Sequence, residues 1–153
     1  MDRLEWEDDL LLGHPAVDHM HEEFVAVASA AQSAGEAELP LRYAALLDHL
    51  NRHFESEDRM MMDSGFPPRQ CHMDEHAAVL KSAREVGEEL AKGNVALCRS
   101  LMTELVRWFP KHAQHLDSAL VHWVNKVRLG GKPVIVKRNI ASLTREATWS
   151  APP

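Results

Sequence analysis

Cysteine is scarce: the 153 residues hold only Cys71 and Cys98. Two cysteines make neither a disulfide framework nor a zinc knuckle, and their low number suits a reducing compartment. No apolar run approaches the roughly 20 residues that a membrane helix needs, so no membrane span is expected. There is no excess of positive charge. The net charge is −6, which argues against nucleic acid as a partner. The N-terminal residues, Met1 to Asp9, are acidic and lack the basic start and apolar stretch of a signal peptide. A cytoplasmic protein is the expectation. The common catalytic signatures are missing too. No H-E-x-x-H, paired C-x-x-C, phosphate loop or nucleophile triad occurs. No Glu-x-x-His occurs either, which disfavours a carboxylate-rich di-iron site of the ferritin type.

What is present is periodicity. Gly35, Gly65, Gly93 and Gly130 close periodic segments, and Pro15, Pro40 and Pro67-Pro68 stand near their starts. The pattern predicts four helices over about 16–34, 40–64, 69–92 and 95–129, with Asn94 as a cap for the last. Short connections between them predict an all-α, up-down-up-down four-helix bundle. The first helix carries the stripe Val17, His21, Phe24, Ala28 and Ala31. The second carries Tyr43, Leu46, Leu50, His53, Glu57, Met60 and Met61. The third carries His72, His76, Val79, Ala83, Val86 and Leu90, and the fourth begins with Leu97, Leu101, Leu105, Trp108 and His112. Steps of three and four place each set on one buried face.

The fourth stripe then slips. It resumes after His112 at Asp117, Leu120, Val124 and Val127. Five residues turn an ideal helix by about 500°, so His112 and Asp117 would face different ways. A one-residue π-bulge restores the phase. Pro110 also deprives the Val106 carbonyl of its helical donor, so an irregularity is expected near 106–113.

Residues 1–129 read as the bundle with an N-terminal arm, in which Trp6 and Leu10-Leu11-Leu12 cover one end. Residues 130–153 read as a basic C-terminal tail with an extended Pro133-Val134-Ile135-Val136, either loosely ordered or a docking segment.

Seven polar residues interrupt the apolar stripes: His21, His53, Glu57, His72, His76, His112 and Asp117. Two pairs, His53 with Glu57 and His72 with His76, are one helical turn apart and can reach one centre. A single histidine in a stripe is more often packed and hydrogen-bonded than a ligand. Five on four helices would be costly to bury without a shared cation. Seven donors exceed one tetrahedral zinc. They suit two octahedral metals sharing two carboxylates and one oxygen, one metal filled by three histidines and the other left open beside two. His14, His19, His49, His115 and His122 read as ordinary residues. His49 is the main decoy, because it continues the His53–Glu57 ladder by one turn; it lies either behind a ligand or a turn away. Met60-Met61-Met62 reads as core filling.

These residues, in this order, resemble the bacterial hemerythrins. The matching motifs are Asp18 with His21, the His53-Phe54-Glu55-Ser56-Glu57 run, the turn Gly65-Phe66-Pro67, the His72…His76 pair, and Trp108, His112 and Asp117. Trp6 fits the family's arm. The resemblance spans about residues 4–128. It implies two iron ions with a bridging oxo or hydroxo group. By that resemblance His72, His76 and His112 bind one iron, His21 and His53 the other, and Glu57 and Asp117 bridge. It also implies reversible O2 binding, for transport, storage or delivery, with O2 held as hydroperoxide on the five-coordinate iron and no catalytic turnover. Azide or another small anion would take that position in the diferric form. The open position would face Phe24, Leu50 and Phe54, with Leu116 approaching. The alternative is a di-iron oxidase, peroxidase, nitric-oxide scavenger or sensor using the same metals; any protein partner or electron donor is unspecified. Met20 stands where the family has glutamine, which implies a missing hydrogen bond behind His21.

Overall fold

A computed structural model describes residues 3–130. The basic tail lies outside the described residues. Among the described residues five α-helices form four rods: α1 (Pro15–Ser33), α2 (Leu39–Ser64), α3 (Arg69–Ala91), and α4 (Val95–His112) continued through a π segment (Ala113–Asp117) into α5 (Ser118–Arg128). Each rod packs on the next, and α4 packs on α1, so the bundle closes. The chain is an all-α four-helix bundle, as the periodicity predicts.

Local chemistry sets the ends. The His14 ring accepts the Val17 N–H at 3.3 Å, and Asp18 accepts three loop N–H groups, those of Leu12, Gly13 and His14. Asn94 caps α4 by accepting from Leu97 N at 3.1 Å. Gly65, at φ +65°, ends α2 in the left-handed conformation, and Phe66 N then returns to Met61 O.

Three expectations need correction. The fourth rod buries Cys98, Met102, Leu105, Val106, Phe109 and His112; of the expected stripe, Leu105 and His112 are among them, Leu101 and Trp108 are only partly buried against the core, and Leu97 is outside it. Leu97 is 40% exposed and Val127 49%. Both series step by three and four, and leucine content alone favours the wrong one. Second, the π-bulge expected between His112 and Asp117 is present at 113–117, where the Ser118 N–H reaches back five residues to Ala113 O, but the irregularity expected near 106–113 is not: helix α4 continues through Pro110. Third, the arm runs along the bundle instead of covering one end. Arg3 donates to Ser33 Oγ at the far end of α1, while Leu12 packs on Val17 at its start. Trp6, Leu4 and Leu10 pack against the main core on the way.

The polar residues form a layer across the bundle. On one side lies the main core, with Phe24, Leu50, Phe54, Ala83 and Phe109. On the other lie two small clusters, one of Leu12, Val17 and Val121, the other of Met61, Phe66 and Leu120. The corrected stripe has a direct test. Phe109→Ala should lower stability by roughly 3–5 kcal/mol, as expected for a buried phenylalanine. Leu97→Ala should stay within about 0.5 kcal/mol, the range of surface substitutions. Urea denaturation of both variants would check this; equal losses would restore the stripe through Leu97.

Candidate metal centre

The helix register brings all seven stripe interruptions together, and each is buried. His21 comes from α1, His53 and Glu57 from α2, His72 and His76 from α3, and His112 from α4. Asp117 comes from the end of the π segment. The wider turn there swings Asp117 onto the face of His112, so Asp117 Oδ1 lies 3.0 Å from His112 Nε2.

The donors sort into two groups that share both carboxylates. One is His72, His76 and His112 with Glu57 and Asp117; the other is His21 and His53 with the same two. Within each group the donor atoms lie within 4.8 Å of one another. The carboxylate oxygens divide accordingly. Glu57 Oε1 is 2.8 Å from His53 Nε2 and 3.5 Å from His21 Nε2, while Oε2 is 3.2 Å from His76 Nε2. Asp117 Oδ2 is 2.9 Å from His21 Nε2, while Oδ1 is 3.0 Å from His72 Nε2.

Hydrogen bonding alone does not satisfy this cluster. His112 Nε2 lies 3.2 Å from the Nε2 atoms of both His72 and His76. Three converging ring nitrogens cannot all find acceptors in one another. Glu57 Oε2 and both Asp117 oxygens lie buried against ring nitrogens at 2.9–3.2 Å, yet none makes a well-directed hydrogen bond. A cation at each group would accept all these lone pairs at once, so the donor set fits two metals with mixed nitrogen and oxygen ligands.

A further ring of residues holds the histidines from behind. His76 Nδ1 meets Asp58 Oδ1 at 2.7 Å. Glu75 Oε1 accepts from His112 Nδ1 at 2.9 Å and from Trp108 Nε1 at 2.7 Å. Neither Asp58 nor Glu75 was singled out from the sequence. The available signal was adjacency: each precedes or follows a stripe interruption and so projects toward the neighbouring rod. His21 Nδ1 has no hydrogen-bond partner, the gap that Met20 implies. Phe54 stacks on His76 with centroids 4.1 Å apart, so it belongs to the three-histidine side as well as to His53. Phe109, also not singled out, sets an edge on His21 at 5.1 Å and packs on Phe24 at 4.4 Å. Leu116 is half-buried on the π segment.

Electrostatics follow from this packing. Burial alone would depress the histidines, but the Asp117 and Glu57 carboxylates override it and raise His21 to about 9. His76 is likewise raised to about 9 against burial, by Asp58 and Glu57. Glu57 and Asp117 are held below the usual carboxylate range despite burial, Glu57 chiefly by His53 and His21, Asp117 by His112 and His21. His49 goes the other way, to about 4, through burial and then His53.

A four-helix bundle with two buried, carboxylate-sharing histidine groups is a cation-binding bundle. Residues 12–124 match the family described as the hemerythrin HHE cation binding domain. The chain is 36% identical over 121 residues to a bacteriohemerythrin of Ralstonia nicotianae, covering 79% of this chain and 88% of that protein. It is 26% identical over 120 residues to a bacteriohemerythrin of Stenotrophomonas maltophilia, covering 76% and 78%. The chain belongs to the hemerythrin family. Among the described residues no helix is long and apolar enough to cross a membrane.

The charges predict how the metal-free protein responds to pH. A raised histidine stabilises the fold fully below its unfolded value of 6.5, and that stabilisation is lost as pH rises through about 9. The depressed carboxylates contribute fully above their ordinary values, and that contribution is lost as pH falls. Urea midpoints of metal-free protein should therefore peak between the carboxylate range and 6.5 and fall toward 9. Metal loading at neutral pH should also release protons from His21 and His76. An indicator dye in weak buffer would detect them, and loading without proton release would contradict the assignment.

Proposed function

We propose that this protein binds O2 reversibly at a non-haem di-iron centre and serves as a carrier or store without turnover. One observation carries the reading: Glu57 and Asp117 each give one oxygen to a three-histidine group and the other to a two-histidine group. His72, His76 and His112 would hold one iron. His21 and His53 would hold the other, with Glu57 and Asp117 bridging. The unequal histidine count would leave one iron with a free position. A ferrous pair held there would supply the two electrons for reversible O2 binding.

The chain's own groups do the rest. Asp58 and Glu75 orient His76 and His112 and raise their basicity. Phe24, Phe54 and Phe109 are fully buried around the histidines and keep bulk water out. The carboxylates that back the site, Asp58, Glu75 and Glu23, are each engaged with histidine, tryptophan or arginine. None of these stands free as an acid or base among the described residues, which supports a carrier over the oxidase or peroxidase alternatives. The name of the relatives supports it too. The free thiols of Cys71 and Cys98 suit the cytoplasm.

Protein purified with iron available should hold about two irons per chain, the number that two octahedral donor groups require. His53→Ala should halve or abolish that ratio in elemental analysis. A protein that takes zinc and no iron would sink the reading. Anaerobic ferrous loading followed by O2 should give an absorption spectrum that reverts when O2 is removed. Steady consumption of O2 with a reductant would replace the carrier reading with an oxidase.

A further inference from the structure

The backing of His53 differs from that of His76 and His112, while His21 and His72 have no Nδ1 partner. His76 and His112 set Nδ1 against carboxylates, but His53 sets Nδ1 3.2 Å from another ring nitrogen, Nε2 of His49. His49 is itself fully buried. Its Nδ1 makes no hydrogen bond but lies 3.4 Å from Glu23 Oε1, and Glu23 accepts from Arg52 Nη2 at 2.8 Å near the surface. A histidine in this place could be mere filling under Phe24, whose ring centroid is 6.0 Å away. The tautomers argue otherwise.

Between two neutral rings only one nitrogen of a facing pair carries the proton. Suppose His49 Nε2 donates. Then His53 accepts at Nδ1 and carries its proton on Nε2, directed at the donor cluster and occupying the lone pair a cation needs. Suppose instead His53 Nδ1 donates. Then His53 Nε2 is free for metal, and the His49 proton sits on Nδ1, facing the Glu23 carboxylate. Glu23 selects the second arrangement, because a carboxylate favours an N–H beside it. We propose that His49, facing the Glu23 carboxylate, is a positioning residue that fixes the tautomer and ring orientation of His53, and so sets how firmly the His21–His53 group keeps its iron. This rests on the two-iron reading above.

The test separates positioning from filling. His49→Phe keeps the ring volume and removes the acceptor; His49→Gln loses the ring and supplies an amide oxygen that can accept from His53 Nδ1. Parent and variants would be loaded anaerobically with ferrous iron and challenged with bipyridine, and iron release followed by absorbance. In His49→Phe one of the two irons should leave roughly 10–100-fold faster, the usual effect of losing a ligand's outer hydrogen-bond partner, and the other at the parental rate. His49→Gln should restore slow release to within a few-fold. Glu23→Gln, a change at a side chain 30% exposed that leaves the core intact, should give a smaller acceleration of the same phase. Parental release from His49→Phe, or greater loss in His49→Gln than in His49→Phe, overturns the inference. Should His49→Phe fail to fold, Glu23→Gln decides, and parental release there overturns it. A parent that loads no second iron instead sinks the two-iron reading itself.

Discussion

Burying seven polar side chains in one layer is the constraint around which this bundle is arranged. A buried polar group without a partner costs on the order of several kcal/mol, and here three ring nitrogens face one another around two buried carboxylates. Without metal the layer persists by proton sharing: His21 and His76 hold protons well above their ordinary range because Asp117, Glu57 and Asp58 surround them. That arrangement is a compromise. Protons satisfy carboxylates in pairs, whereas a cation satisfies every lone pair that points at it. The apolar clusters above and below the layer keep the helices at the spacing the layer needs.

The π segment shows how one local irregularity serves that layer. A continuous α-helix would leave His112 and Asp117 about 140° apart. The π turn at Ala113–Asp117 brings both onto the inner face and lets α5 resume with Leu120 buried. The helix thus accepts poorer backbone geometry over one turn in exchange for a carboxylate in the centre. Such segments are frequent at functional sites.

Most of the bundle was legible because helix punctuation and stripes act locally. The four rods, the Asn94 cap and the phase slip after His112 all follow from spacing within one segment. The meeting of His21, His53, Glu57, His72, His76, His112 and Asp117 was legible because polar residues inside an apolar stripe must converge. What was not legible depends on neighbours in space. Leu97 and Cys98 sit one residue apart on interleaved three-and-four series, and only packing on α3 and α1 chooses the second. Leu97 reads as core by type and is left at the surface. Asp58 and Glu75 look like solvent-face acids, because their partners are on other helices. The course of the arm depends on contacts with Ser33 and the flank of α4, which no periodicity in 1–14 encodes.

The acids behind the layer follow a rule that pairwise description hides. Each rod hands a carboxylate to a histidine of the next. Glu23 on α1 reaches His49 on α2, Asp58 on α2 reaches His76 on α3, and Glu75 on α3 reaches His112 on α4. Asp117, at the end of the π segment, closes the ring by reaching His21 on α1. All four run in the same sense around the bundle. Antiparallel neighbours cannot achieve this with one sequence spacing, since alternate rods present their faces in opposite directions. The acid accordingly sits after the inward Glu57 on α2 but before the inward His76 on α3. The first step is the exception in kind: Glu23 meets a histidine that is not among the inward donors, and His49 passes the contact on to His53. The group with fewer histidines is thus the one whose backing is built in two stages, and the only one of the two linked through Glu23 and Arg52 to the surface among the described residues.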